Sequence, residues 1–444
     1  MFASDALSSN AYATQEILLM LSVGGVALYS FTPWVALGVI LVFFVVVASY
    51  RQNVRAYPSG GGDYEVVSTN LGERAGVFVA SALMVDYVMT VAVSISSAVA
   101  NIASAFPPVG KQAVIVAVGL IVIMTLMNLR GVRESGTAFA IPTYGFIVGI
   151  FAMVAWGIWQ ISDGTIPQAE SATWEIEAET TASGALLIFL LARAFSSGTT
   201  ALTGIEAIAN GVPAFKKPKS KNAATTLLLL GVISMSMFAA ITWLAMVTNV
   251  RVTEHNENLV GLPPGQEQKT VIAQVSQAIF ADFQPGYLYI SIMTALILVL
   301  AANTAFNGFP VLGSVLARDG YLPRQLHTRG DRLAFSNGII FLAGAATVLV
   351  IVYDASVSSL IQLYVLGVFV SFTLSQIGMV KHWNRHLRDE TNPKERRRMK
   401  RSRVINTVGF LMTGSVLIIV LVTKFTHGAY LVVIAMPLLY LVMR

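Results

Sequence analysis

Cysteine is absent from the chain. That excludes disulfide frameworks, thiolate nucleophiles and Cys-ligated zinc or iron–sulfur centres, and leaves the redox compartment undetermined. Charge is also scarce, at 12% of residues. The five histidines are His255, His327, His382, His386 and His427, and all fall in polar connections or at the ends of apolar runs. A histidine relay across a membrane is therefore not expected, and any coupled proton must ride on a carboxylate. No basic n-region precedes the first apolar run, so the opening does not read as a signal peptide.

What the chain has instead is apolar surface. Of its 444 residues 55% are hydrophobic, with mean hydropathy +0.69. This is the profile of an all-α polytopic membrane protein. Apolar runs can be drawn at 11–30, 33–50, 75–104, 112–129, 138–161, 184–211, 223–249, 286–312, 337–353, 358–380, 404–423 and 428–443. With the polar opening counted into the first, they predict about twelve membrane helices.

Basic residues set the orientation. With a cytoplasmic start, the inner loops hold Arg51, Arg55 and Arg74, then Arg130 and Arg133, then Lys216, Lys217, Lys219 and Lys221. They continue with Arg318, Arg324, Arg329 and Arg332, the cluster from Lys381 to Arg403, and Arg444, whereas only Lys111, Arg251, Lys269 and Lys424 fall outside. The net charge of +6 is thus topological, and no nucleic-acid partner is expected. The run Lys394–Arg403 reads as a positive-inside stop touching anionic lipid rather than a protein-binding motif. The outer loop near 163–183 carries Asp163, Glu170, Glu175, Glu177 and Glu179, a mouth that attracts cations. Tyr57-Pro58-Ser59-Gly60-Gly61-Gly62-Asp63-Tyr64 lacks the lysine and following hydroxyl of a P-loop, so it reads as a sharp turn.

Two stretches resist a lipid-facing helix. Ser4-Asp5-Ala6-Leu7-Ser8-Ser9-Asn10-Ala11-Tyr12 opens the chain, and Ala194-Phe195-Ser196-Ser197-Gly198-Thr199-Thr200-Ala201-Leu202-Thr203-Gly204-Ile205-Glu206 interrupts the sixth run. Read alone, the first could be a soluble tail. The two interruptions lie five helices apart, however, so their halves have opposite topology, the pattern of an inverted repeat with broken helices at the midplane. The repeats are drawn at 1–162 and 184–380, with two additional helices over 404–443.

Between the breaks, Asp86, Thr90 and Ser94 follow the four-residue spacing that places side chains on one helical face. Asp86 lies mid-run, where an unpaired charge costs about 3 kcal/mol. It reads either as a structural hydrogen-bonded aspartate or as an ion ligand. Carboxylates from Asp5, Asp86 and Glu206, hydroxyls from Thr90, Ser94 and Thr203, and freed carbonyls form an oxygen donor set suited to a hard cation. Asp5 in the first break should repel the carboxylate of an amino acid. Arg193 and Glu16 occupy the outer halves of the broken runs and are gate candidates as a pair. Snorkelling, or pairing of Arg193 with another acid, remains open.

The motifs Ser4-Asp5-Ala6-Leu7-Ser8-Ser9 with Ala11-Tyr12, Val85-Asp86-Tyr87 with Thr90-Val91-Ala92-Val93-Ser94, and Ala201-Leu202-Thr203-Gly204 with Glu206 carry a resemblance. So do Tyr57-Pro58 before the triple glycine, Ala194-Phe195-Ser196-Ser197-Gly198, Leu298-Val299-Leu300-Ala301-Ala302-Asn303-Thr304, and Arg329-Gly330-Asp331-Arg332 with Phe335-Ser336-Asn337-Gly338. Together they resemble the KimA-type potassium importers of the amino acid–polyamine–cation superfamily, nearly end to end. The resemblance implies a LeuT-like five-plus-five core and potassium uptake by proton symport in a bacterial plasma membrane. It implies an ion site of Asp5, Tyr12, Asp86, Tyr87, Thr90, Ser94, Thr203, Glu206 and Tyr364. Glu206 is the proton-carrier candidate, because a buried carboxyl that takes up a proton can alternate with a bound cation. It also implies a basic segment ahead of Asp5 and a cytosolic C-terminal domain, neither of which this sequence contains. Regulation and oligomeric state, a homodimer included, are therefore left open. No cofactor is expected, only transported potassium and protons. The alternative is an amino acid or polyamine permease. No enzyme is expected, since a membrane hydrolase would need a histidine set or nucleophile motif, and a channel would need a filter loop, for which there is no candidate.

Overall fold

A computed structural model describes residues 3–130, 136–323, 325 and 336–443. Arg133, Arg324, His327, Arg329, Arg332 and Arg444, and residues 329–335 of the last motif, lie outside the described residues. Among the described residues the chain is all-α, apart from a short antiparallel pairing of β1 (Glu175–Ile176) with β2 (Leu259–Val260). That architecture follows from composition, because a lipid-embedded backbone must satisfy its own polar groups, which a helix does within each segment.

The first segment is broken into α1 (Ala3–Ser8) and α2 (Ala13–Ser22), joined by a 3-10 turn, Ser9–Ala11. Next come α3 (Thr32–Ala56), the short α4 (Gly62–Leu71), α5 (Glu73–Ala105), α6 (Ala113–Leu129) and α7 (Gly136–Ser162). A second broken segment consists of α8 (Gly184–Gly198), a 3-10 turn Thr199–Leu202 and α9 (Ile205–Asn210). It is followed by α10 (Lys219–Val247), the short α11 (Val271–Ile279), α12 (Gln284–Arg318), α13 (Ser336–Val352), α14 (Val357–Leu363) and α15 (Leu366–Asp389). Last are α16 (Pro393–Lys424) and α17 (Ala429–Val442).

Among the described residues nine helices are long and apolar enough to cross a membrane, and α13 and α17 are shorter apolar helices. With the broken opening segment they account for the twelve segments expected. Several boundaries differ from expectation. The first run stops at Ser22, because a 3-10 segment, Val26–Phe31, leads into α3. The tenth segment is not continuous but divides between α14 and α15. The basic run Lys394–Arg403 is already helical, as the first turns of α16.

Burial ranks the helices. The apolar core of α5 is 83% buried, that of α6 only 17%. The central helix α5 packs along α12, α4 and α15, and α6 presents Ile115, Val122, Ile123, Leu126 and Met127 outward, as a lipid-facing helix does. The additional helix α16 lies against α15, α3 and α8.

Candidate functional site

The two broken segments meet. In each, hydroxyls return a hydrogen bond to a carbonyl three residues back: Ser8 to Asp5 (2.7 Å), Ser9 to Ala6 (3.1 Å), Thr199 to Ser196 (2.6 Å), Thr200 to Ser197 (2.7 Å) and Thr203 to Thr200 (2.8 Å). Side chains thereby satisfy backbone oxygens that a continuous helix would have paired, which lets the helix tighten and stop away from water. Ser9 Oγ also reaches Ala201 O of the other break, at 3.4 Å. Beyond the second break Thr203 is extended and Gly204 is left-handed, with φ +87°. A Cβ on Gly204 would lie 2.6 Å from Ala6 N and 2.9 Å from the Asp5 carbonyl carbon. Only glycine serves there, both for its backbone angle and for the closeness of the opposing chain.

Around that contact stand the carboxylates. Asp5, Asp86 and Glu206 are 6%, 3% and 3% exposed. Asp5 and Asp86 both act electrostatically on Glu206, and Asp5 acts on Asp86. Thr304 Oγ1 lies 3.2 Å from Asp5 Oδ2 and 2.7 Å from Ala301 O, so its single hydrogen is shared between a carboxylate and a carbonyl. Glu206 Oε1 accepts from Gly204 N at 3.2 Å, whereas Glu206 Oε2 and Asp86 Oδ1 are buried without a hydrogen-bond partner. Three buried anions in one another's field require cations or protons.

Asp86, Thr90 and Ser94 are all buried on α5, as their spacing predicts. Thr90 Oγ1 lies 3.0 Å from Asp86 O and 3.1 Å from the Tyr364 hydroxyl. Tyr364 is aimed by the break between α14 and α15, where Val365 takes φ +79°, a strained value for a β-branched residue. Tyr12 and Tyr364 both lie against Thr203. Tyr87 accepts from Asn210 Nδ2 at 2.9 Å. Eight of the nine expected residues are thus linked by contacts or fields. Ser94 continues the Asp86 face, and among the described residues no hydrogen bond joins it to the others. Among the described residues no three acidic or histidine side chains converge closely enough to hold one metal ion. Any cation here must draw most of its ligands from hydroxyls and carbonyls.

The outer charges differ from expectation. Arg193 donates to Glu254 at 3.3 Å, not to Glu16. Glu16 is fully buried, accepts from Ser358 Oγ at 3.0 Å and shares its field with Lys424. Lys424, counted above as an outer-loop cation, is 0% exposed and donates to Ile361 O at 3.0 Å. It closes α16 and is folded into the protein because α16 packs against α8 and α15. His382 likewise sits within α15, its Nδ1 2.9 Å from the Tyr57 hydroxyl, rather than at a helix end.

Sequence reasoning missed Thr304, Asn210, Ser358 and Lys424. Thr304 follows Asn303 inside an apolar run, and such a polar pair is a usable signal. Lys424 resembles any lysine at the end of a membrane segment, so nothing in the sequence marks it.

A family model described as "Amino acid permease" matches residues 1–443. The chain belongs to the amino acid permease family. It is also similar to "Potassium transporter KimA" of Bacillus subtilis (strain 168), 42% identical over 441 residues, which covers 99% of this chain and 68% of that protein. The permease is therefore a multi-pass membrane protein of a transporter family, in agreement with its helices.

Proposed function

We propose that this permease imports potassium by proton symport through the site between the two broken segments and α5. The observation that carries the reading is the cluster of Asp5, Asp86 and Glu206, buried together among hydroxyls and carbonyls with two oxygens unpartnered. Oxygen donors suit a hard cation, and the similarity to a potassium transporter favours potassium among them. Four apolar helical segments follow each break, α3, α5, α6 and α7 after the first and α10, α12, the shorter α13 and α14–α15 after the second. That order supports an inverted repeat over 1–162 and 184–380, with transport by rocking one repeat against the other.

In this mechanism Asp5 and Asp86 hold the cation and Thr90, Thr203, Tyr12 and Tyr364 replace part of its hydration. Glu206 alternates between a proton and the field of the cation. It is suited to that role because it caps its own helix through Oε1 and leaves Oε2 free. An organic amino acid is disfavoured, since Asp5 stands where its carboxylate would bind.

The test is potassium-driven proton movement into proteoliposomes, with rubidium, sodium and arginine for comparison. Potassium-dependent acidification that is lost in Asp86→Asn is expected. Proton movement driven by arginine alone would overturn the potassium reading, and full activity of Asp86→Asn would overturn the site.

A further inference from the structure

At the end of the bundle that carries the basic loops, α3, α15 and α16 line a half-open cavity of about 310 Å³ bordered by Gln52, Arg55, His382, His386, Arg398 and Ser402 among others. The proposed transport cycle uses none of these residues. Their chemistry is cationic. Arg55 stands in the like-signed field of both Arg51 and Arg398, and among the described residues no carboxylate pairs with it. Arg51, one turn earlier on α3, has a buried Nε without a partner. His382 and His386 lie with their rings 4.1 Å apart and are engaged through Nδ1, by the Tyr57 hydroxyl and by His382 O, which leaves Nε2 of each for a further partner. The one acid lining the cavity among the described residues, Glu395, is already 3.6 Å from Arg398. A floor of neutral donors and acceptors, with Ser402 Oγ on Gln52 Oε1 at 3.0 Å, completes the pocket. Guanidiniums that repel one another, with one exposed carboxylate, Glu395, as their counter-charge, form a site for a phosphate group.

We propose that this cavity binds the phosphate of an anionic phospholipid. What favours a lipid over free phosphate is the surface leading to it. On α3, Leu37, Leu41 and Phe44 are 46%, 55% and 38% exposed, and their spacing continues through Ala48 to Arg51 and Arg55 on one helical face. An acyl chain lying along that apolar stripe delivers its headgroup to the guanidiniums. The bound phosphate offsets the repulsion among Arg51, Arg55 and Arg398 and ties α3 to α16. Because α3 also packs against α8 and α9, the lipid stabilises the element that backs the second broken segment.

The experiment measures phospholipid retained by the purified chain in native mass spectrometry, and its unfolding temperature, against phosphatidylglycerol, phosphatidylcholine and inorganic phosphate. Phosphatidylglycerol is expected to be retained and to stabilise the protein. Arg55→Gln and Arg398→Gln should each weaken retention about fivefold, the effect of one surface cation on an anionic headgroup. Lys221→Gln, an exposed cation outside the cavity, should leave it unchanged. Arg398 has a side chain 68% exposed and Arg55 is exposed, so lipid-free variants should unfold as the unmodified chain does. Equal retention of phosphatidylcholine, or equal loss in Lys221→Gln, would overturn the proposal as general membrane affinity. Inorganic phosphate alone reproducing the stabilisation would identify a free-phosphate site and overturn the lipid.

Discussion

The contact between the two breaks makes a quantitative demand on Gly204. An alanine there would hold a left-handed backbone angle, which costs an L-residue about 1–2 kcal/mol. Its methyl would also stand 2.6 Å from Ala6 N, and restoring a 3.4 Å contact requires one broken segment to retreat by the difference, about 0.8 Å. The two nearest opposing atoms, Ala6 N and the Asp5 carbonyl carbon, are backbone rather than a flexible side chain, so they cannot swing away. A site of this kind tolerates about 0.5 Å of displacement. Gly204→Ala should therefore lower the unfolding temperature modestly and weaken potassium-dependent uptake at least about tenfold, equivalent to about 1.4 kcal/mol. Gly119→Ala is the control: on α6 an added Cβ meets nothing within 4 Å and no left-handed angle is involved. It should transport normally and be neutral or slightly more stable. Uptake by Gly204→Ala at the unmodified rate, with unchanged affinity, would refute the reasoning, because the breaks could not then be in contact as described.

Two further predictions concern buried charge. Lys424→Met should destabilise the protein by about 3–5 kcal/mol by leaving Glu16 uncompensated, and adding Glu16→Gln should recover part of that loss. A thermal-unfolding double-mutant cycle checks it, and strictly additive effects would show that the two groups do not interact. Outside the membrane segments, burial raises the Asp63 carboxyl above its ordinary value of 3.8, against hydrogen bonds from Tyr50, Ser371 and Ser375. The folded chain holds that proton more tightly than the unfolded chain, so the associated stability is complete below 3.8 and is lost as pH rises through the folded value. Asp63→Asn should accordingly lose less stability than the unmodified chain as pH rises above about 4 in unfolding scans. Parallel curves would exclude an ionising Asp63.

Much of this protein could be read from its residues because a bilayer imposes few solutions. Length and hydropathy dictate helices, and eleven of the twelve apolar runs coincide with a helix or broken helix to within a few residues, apart from helical extensions at the basic end. The two main breaks were legible for the same reason, since serines, threonines, glycine and acids are costly in lipid wherever the helix is continuous. The spacing of Asp86, Thr90 and Ser94 fixed their shared face without reference to any neighbour.

The break at Tyr364 was not legible, because Val365 has no local preference for a positive φ and takes it only where packing of α14 and α15 against α5 imposes it. Nor could sequence decide between Glu16 and Glu254 as the partner of Arg193, a choice made by the loop that carries Glu254 over α8. Lys424 is the sharpest case. Its position at the end of an apolar run suits a solvated lysine, and only the packing of α16 against α8 and α15 buries it beside Glu16. The sequence by itself determined which segments cross the membrane, where two of them break and which oxygen donors they carry. The tertiary structure alone decided which charges face one another, because pairing across helices depends on how α16, α8 and α2 lie together, and hydropathy along a chain holds no record of that.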